Sequence, residues 1–118
     1  MKKSLSYALI GVLNTLCHAS VFMLLVYIGH FAQALANFVA FLVAVTLSYV
    51  LNSHFTFKTP KKIKKYLLFT TIMGLISISV GWLGDKYQLY PVATFVIFSA
   101  LSFILGFLLS KYWIFKDE

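Results

Sequence analysis

Charge is what this chain lacks most. Between Lys3 and Lys58 lie 54 residues without one Asp, Glu, Lys or Arg, a length that would run about 80 Å as a single helix. A hydrocarbon core is only about 30 Å thick, so the tract must cross it more than once. Charged residues make up 11% of the 118 and apolar ones 61%, against roughly 25% and 45–50% in a soluble domain. A water-soluble globule is excluded, and too little remains outside lipid to build a soluble catalytic domain. Acids number three, Asp85, Asp117 and Glu118. None falls inside an apolar span, which disfavours a proton-coupled antiporter with its intramembrane carboxylate. The single cysteine, Cys17, cannot close an intrachain disulfide. No Cys/His cluster, Gly-rich phosphate loop or nucleophile with base and carboxylate is present, so the sequence calls for no metal, no cofactor and no enzymatic chemistry.

What charge there is consists of ten Lys and no Arg, with a net +7. These Lys are not interleaved with a soluble fold that could present a groove, so a nucleic-acid partner is not expected. Met1-Lys-Lys before an apolar run has the look of a signal peptide. The run is too long for an h-region, however, and no small-x-small site closes it, so the segment is expected to stay as a first span.

Breaks in the apolar mass divide the chain into an all-α, polytopic membrane domain covering residues 1–118. Gly29-His30 and Gln33 separate a span near 7–28 from one near 34–55. The run from Lys58 to Lys65 reads as a water-facing loop, with Pro60 preventing helix continuation. A third span follows over 66–84 and a short turn at Asp85 to Gln88, and Pro91 suits the first turn of a fourth span over 91–111. Nine Lys lie at the termini and the central loop, whereas Lys86 alone lies in the other two loops. By the positive-inside rule the termini and the central loop face the cytoplasm. Tyr7, Tyr66, Tyr112 and Trp113 on that side, and Tyr27, Trp82, Tyr87 and Tyr90 on the other, sit where interfacial belts belong.

The second and fourth spans close on similar residues, Asn52-Ser-His-Phe-Thr-Phe-Lys58 and Ser110-Lys-Tyr-Trp-Ile-Phe-Lys116. Two hairpins that both start and finish in the cytoplasm make this a parallel repeat, with its twofold along the membrane normal.

Each span carries a small or polar seam at helical spacing. The seams are Gly11, Asn14 and His18; Asn37, Ala44, Ser48 and Asn52; Thr70, Gly74, Ser77 and Gly81, with Asp85 one turn beyond; and Ser99, Ser102, Gly106 and Ser110. Close helix packing explains the Gly and Ser positions. Asn14, His18, Asn37 and Asn52 are costlier to bury, and read either as packing contacts or as a ligand path.

Over nearly its whole length the chain resembles the GtrA-like family of small four-span membrane proteins. The resemblance is carried by Gly11-Val-Leu-Asn-Thr15, Gln33-Ala-Leu-Ala-Asn-Phe38, Asn52-Ser-His-Phe-Thr-Phe-Lys58, Gly81-Trp82 with Asp85, Ser110-Lys111 and Phe115-Lys116-Asp117. Within the family it is most similar to the short phage and enterobacterial type that acts in O-antigen glucosylation of lipopolysaccharide. The resemblance implies a flippase of the bacterial inner membrane that moves undecaprenyl-phosphate-glucose from the cytoplasmic to the periplasmic leaflet. One membrane glycosyltransferase would supply the lipid-linked sugar inside, and another would consume it outside. Many relatives have an Arg after the Asn that closes the second span, where this chain has Ser53 and His54.

Such a substrate needs a polar seam for its head and a lateral opening for its apolar tail, because an uncompensated charge in hydrocarbon is prohibitive. Asn14, His18, Asn37, Ser48 and Asn52 are expected to hydrogen-bond the sugar. Lys58, Lys65 and Lys111 are expected to attract the phosphate as flexible point charges. Asp85 and Lys86 form either an exit gate or a plain interfacial ion pair. Four thin helices enclose little alone, so a homodimer is expected. A scaffold subunit that stabilises a membrane glycosyltransferase is the alternative from another functional class.

Overall fold

The computed structural model describes residues 2–55 and 60–109, with side chains over 9–51 and 67–106 together with Lys64 and Leu108. Four helices follow one another: α1 (Lys2–Met23), α2 (Gln33–Phe55), α3 (Pro60–Lys86) and α4 (Pro91–Leu109). α1 ends in a widened π-helical turn, Leu24–Ile28, in which Gly29 N–H donates to Leu24 O at 3.1 Å. Among the described residues, the stretches Leu9–Ile28, Gln33–Leu51 and Leu67–Lys86 are long and apolar enough to cross a membrane, and α4 is apolar along its 19 residues.

The break at Gly29-His30 falls where the sequence places it. His30 takes a left-handed conformation, φ 57°, and Phe31 N–H closes the turn onto Leu25 O at 3.0 Å. The Lys-rich segment differs from expectation. Pro60 does not keep the chain out of a helix; it opens α3. A first helical turn needs no N–H from Pro, and Lys is a good helix former, so the helix runs on through 61–65 before its apolar part begins.

α3 stops in a Schellman turn. Leu89 N–H donates to Gly84 O (2.8 Å) and Gln88 N–H to Asp85 O (3.3 Å), with Gln88 at φ 51°. Glycine is the usual residue at that left-handed position. Gln88→Gly is therefore expected to stabilise the protein by about 0.5–1 kcal/mol, read as a rise in Tm in detergent.

α2 is the central helix, packed along α1 on one side and α3 on the other, while α4 leans on α3 and touches α1 and α2 more sparsely. One apolar cluster joins Phe41, Met73, Val80 and Phe98, and the rings of Phe41 and Phe98 meet edge to face at 5.8 Å. A second joins Phe22, Ala36 and Ala40. The fully buried side chains include Asn37, Ser77 and Thr94 beside Phe22 and Met73, whereas Leu9, Leu13, Leu16, Leu75 and Phe103 stand exposed. Polar groups inside and branched aliphatics outside is the distribution that hydrocarbon imposes on a bundle.

Candidate functional site

Two of the sequence-selected residues meet inside the bundle. His18 of α1 and Asn37 of α2 are 4% and 0% exposed. His18 Nε2–H donates to Asn37 Oδ1 at 2.9 Å, and Asn37 Nδ2 donates on to Ser77 O of α3 at 2.8 Å. The Ser77 hydroxyl turns back onto Gly74 O at 2.6 Å, so its small side chain leaves the α3 backbone open to Asn37. Phe22 and Phe95 stack on the His18 imidazole at 6.0 and 5.5 Å, and Phe98 tilts against it at 5.2 Å. One polar chain thus ties three helices, and an aromatic box brings the fourth onto it. The box removes water from the two hydrogen bonds and strengthens them.

Asn14 lies one turn before His18 on α1 and is half-buried; Ser48, eleven residues beyond Asn37 on α2, is also half-buried. A Cβ built on Gly11 would meet nothing within 4 Å among the described residues. The side chains of Asn52 and Lys65, and Lys58 and Lys111 altogether, lie outside the described residues.

A second polar cluster closes the end of the bundle where α2 begins, one turn before Asn37. Phe31 and Ala32, which lead into α2, offer no side-chain acceptor, and its first turn holds no acid. Asp85 supplies the missing cap from α3: its two carboxylate oxygens accept Gln33 N–H at 2.8 Å and Ala34 N–H at 2.9 Å. A carboxylate on these free N–H groups also meets the positive end of the helix dipole. Gln33 extends the tie, donating from Nε2 to Leu89 O at 2.7 Å and accepting the Thr94 hydroxyl on Oε1. The close approach depends on two glycines. A Cβ on Gly81 would lie 2.6 Å from both Ala34 Cα and Gln33 O, and one on Gly84 2.6 Å from Gln33 Oε1.

Asp85 and Lys86 therefore have separate partners rather than each other. The Lys86 ammonium lies over the rings of Trp82 (5.1 Å) and Tyr87 (5.5 Å). Asp85→Ala is expected to cost about 1–2 kcal/mol, with faster amide exchange confined to the first turn of α2, and Asp85→Asn to cost less. Thr94 and Gly84 escaped the sequence reading. Their only sequence signal is position, Thr94 in the first turn after Pro91 and Gly84 next to Asp85.

Among the described residues, no three His, Cys, Asp or Glu side chains converge on one point. Residues 6–115 match the family model described as the GtrA/DPMS transmembrane domain. The chain is 45% identical over 117 residues to the bactoprenol-linked glucose translocase of Shigella phage SfV, covering 99% of this chain and 98% of that one. It is 45% identical over the same shares to a prophage bactoprenol-linked glucose translocase homolog of Escherichia coli K12. To the bactoprenol-linked glucose translocase of Salmonella phage P22 it is 42% identical, again over 99% and 98%. No solved structure matches the chain. Sequence, polar interior and lipid-facing surface agree: the protein is a polytopic membrane protein and belongs to the GtrA/DPMS transmembrane-domain family.

Proposed function

We propose that the protein is a flippase that carries undecaprenyl-phosphate-glucose from the cytoplasmic to the periplasmic leaflet of the bacterial inner membrane, for glucosylation of O-antigen. The observation that carries this reading is the end-to-end match to phage and enterobacterial proteins named as translocases of bactoprenol-linked glucose rather than as enzymes. The Lys distribution supports an orientation with both termini and the central loop in the cytoplasm. On that orientation the stripe Asn14, His18, Asn37, Ser48 and Asn52 runs inward from the cytoplasmic face. Between Asn37 and Asn52 it covers about 22 Å of helix rise.

The sugar hydroxyls pass along this stripe while the isoprenoid tail stays in lipid, and Lys58, Lys65 and Lys111 gather the phosphate at the cytoplasmic end. His18 and Asn37 already bond each other, so they serve the passing sugar by exchanging that bond for bonds to its hydroxyls. No nucleotide is consumed; synthesis of the substrate inside and its use outside by two membrane glycosyltransferases set the direction. A homodimer supplies the remaining walls of the path.

The test uses spheroplasts that make the lipid-linked glucose, treated with an impermeant oxidant of vicinal diols. With the protein present the glucose is expected to become oxidisable, and without it to stay protected. Equal protection in both would refute the proposal.

A further inference from the structure

A hydroxyl on a membrane helix has few partners besides its own backbone. Thr15, Thr46, Thr71 and Ser79 stand exposed, and each donates to the carbonyl four residues back, at 3.0, 2.7, 3.0 and 2.9 Å. Ser77, inside the bundle, bonds back to Gly74 O. Thr70 is the exception. Its Oγ1 is shut off from solvent and is, among the described residues, the sole buried side-chain oxygen or nitrogen without a hydrogen-bond partner. A helical threonine has a rotamer that reaches the carbonyl one turn back, so the backbone does not force this hydroxyl to stay open. Its burial without a partner is penalised, and a valine of the same shape would escape the penalty.

The α2–α3 register shows what lies opposite. Asn37 meets the Ser77 backbone, and Gly81 packs on the backbone of Ala34, so the two helices run antiparallel. Seven residues along from the first pair, about 10 Å of rise, Thr70 comes level with Ala44. Ala44 is buried and brings only a methyl group. Thr70 shares the α3 face that carries Gly74 and Ser77, and a Cβ on Gly74 would meet Phe38 Cε1 at 3.4 Å. The hydroxyl thus falls between the levels of Asn37 and Ser48, on the helix facing their stripe. α2 carries no Asp, Glu, Lys or Arg, and α3 carries none between Lys65 and Asp85. An anion at Thr70 would find no countercharge there, whereas a neutral hydroxyl would find both a donor and an acceptor.

We infer that Thr70 is a substrate contact whose open hydroxyl exchanges hydrogen bonds with a hydroxyl of the passing sugar, and not with the phosphate. The assignment rests on the flippase reading and deepens it, by giving the sugar a contact on α3 midway along the stripe. His18 and Asn37 must give up a bond to serve the sugar; Thr70 has none to give up. The stability lost to an open buried hydroxyl is then recovered when the sugar arrives.

The experiment uses the purified full chain, in detergent for thermal unfolding and in phosphatidylcholine vesicles for leaflet transfer. Thr70→Val keeps the shape and drops the hydroxyl, and should raise Tm by about 3–5 °C without added lipid. The same variant should need about five to ten times more undecaprenyl-phosphate-glucose for half-maximal stabilisation, and should transfer it more slowly by a similar factor. Thr70→Ser keeps the hydroxyl and should retain the affinity of the wild type. Undecaprenyl phosphate, which lacks the sugar, should act equally on wild type and Thr70→Val. A lower Tm in Thr70→Val, an unaltered requirement for the glucosylated lipid, or an equal loss toward the sugar-free lipid overturns the assignment. A purely structural hydroxyl could not raise Tm and weaken binding on removal. Normal transfer and normal affinity in Thr70→Val remove the contact and leave the flippase, whereas binding that depends on Thr70 without transfer removes the flippase and leaves a sugar contact.

Discussion

Asn37→Ala is expected to lower stability by about 2 kcal/mol and to slow leaflet transfer. The side chain is fully buried and holds two partners at once, the His18 ring nitrogen and the Ser77 carbonyl. Its removal leaves the His18 donor inside the aromatic box without an acceptor and without water, and such stranding costs about 1–3 kcal/mol per group. His18→Phe keeps the stack on Phe22 and Phe95 but loses the hydrogen bond, so it should cost less than His18→Ala. In a double-mutant cycle His18 and Asn37 should couple by about 1 kcal/mol. Unfolding in detergent measures each of these. Asn14→Ala is the functional counterpart: this half-buried side chain is expected to affect transfer with little change in Tm. If the loss of transfer in Asn37→Ala tracked its Tm alone, and Asn14→Ala transferred normally, the stripe would be packing and nothing more.

Gly81→Ala is expected to destabilise by about 1–3 kcal/mol, the usual penalty for overfilling a packed contact. The new methyl would sit 2.6 Å from Ala34 Cα and from Gln33 O. Both are backbone atoms at the start of a helix and cannot rotate away. Relief requires α2 to retreat from α3, which lengthens the Asp85 hydrogen bonds to Gln33 and Ala34 N–H. Loss at Gly81 should therefore be less than additive with Asp85→Ala, because the two changes undo one contact. Gly11→Ala provides the contrast. Nothing lies within 4 Å of its Cβ position, so the better helix former should gain about 0.5–1 kcal/mol. Thermal unfolding of the three variants and the double variant gives the comparison.

The helical architecture was legible because the apolar mass and its few interruptions leave little choice: Gly29-His30 ends α1, Gln33 opens α2 and Pro91 opens α4. The start of α3 was misread because Pro and Lys signal a loop by composition, yet both are at home in a first helical turn. The stripes located His18, Asn37 and Ser77 correctly as an inward-facing set. Spacing along each helix could not show that the first two bond one another, since that depends on the antiparallel register of α1 and α2. Gly11 shares the spacing of its neighbours, yet among the described residues nothing lies within 4 Å of its Cβ position. From the sequence Asp85 reads as an exit gate or an interfacial ion pair with Lys86, whereas its partners lie 51 and 52 residues away. A capping residue from another helix leaves no local pattern. Asn52 enters through its place on the α2 seam, and Lys58, Lys65 and Lys111 through charge and resemblance; their roles are tested by function rather than by packing.

The proposed flippase moves lipid-linked glucose between leaflets without a glycosyltransferase present. Purified protein in phosphatidylcholine vesicles containing undecaprenyl-phosphate-glucose, probed with an impermeant oxidant of the sugar, measures it directly. The inner-leaflet fraction is expected to become oxidisable in vesicles bearing the protein, and to stay protected in protein-free vesicles. Protection that persists when folded protein is present would contradict it, and would point to a scaffold that supports a membrane glycosyltransferase without carrying lipid.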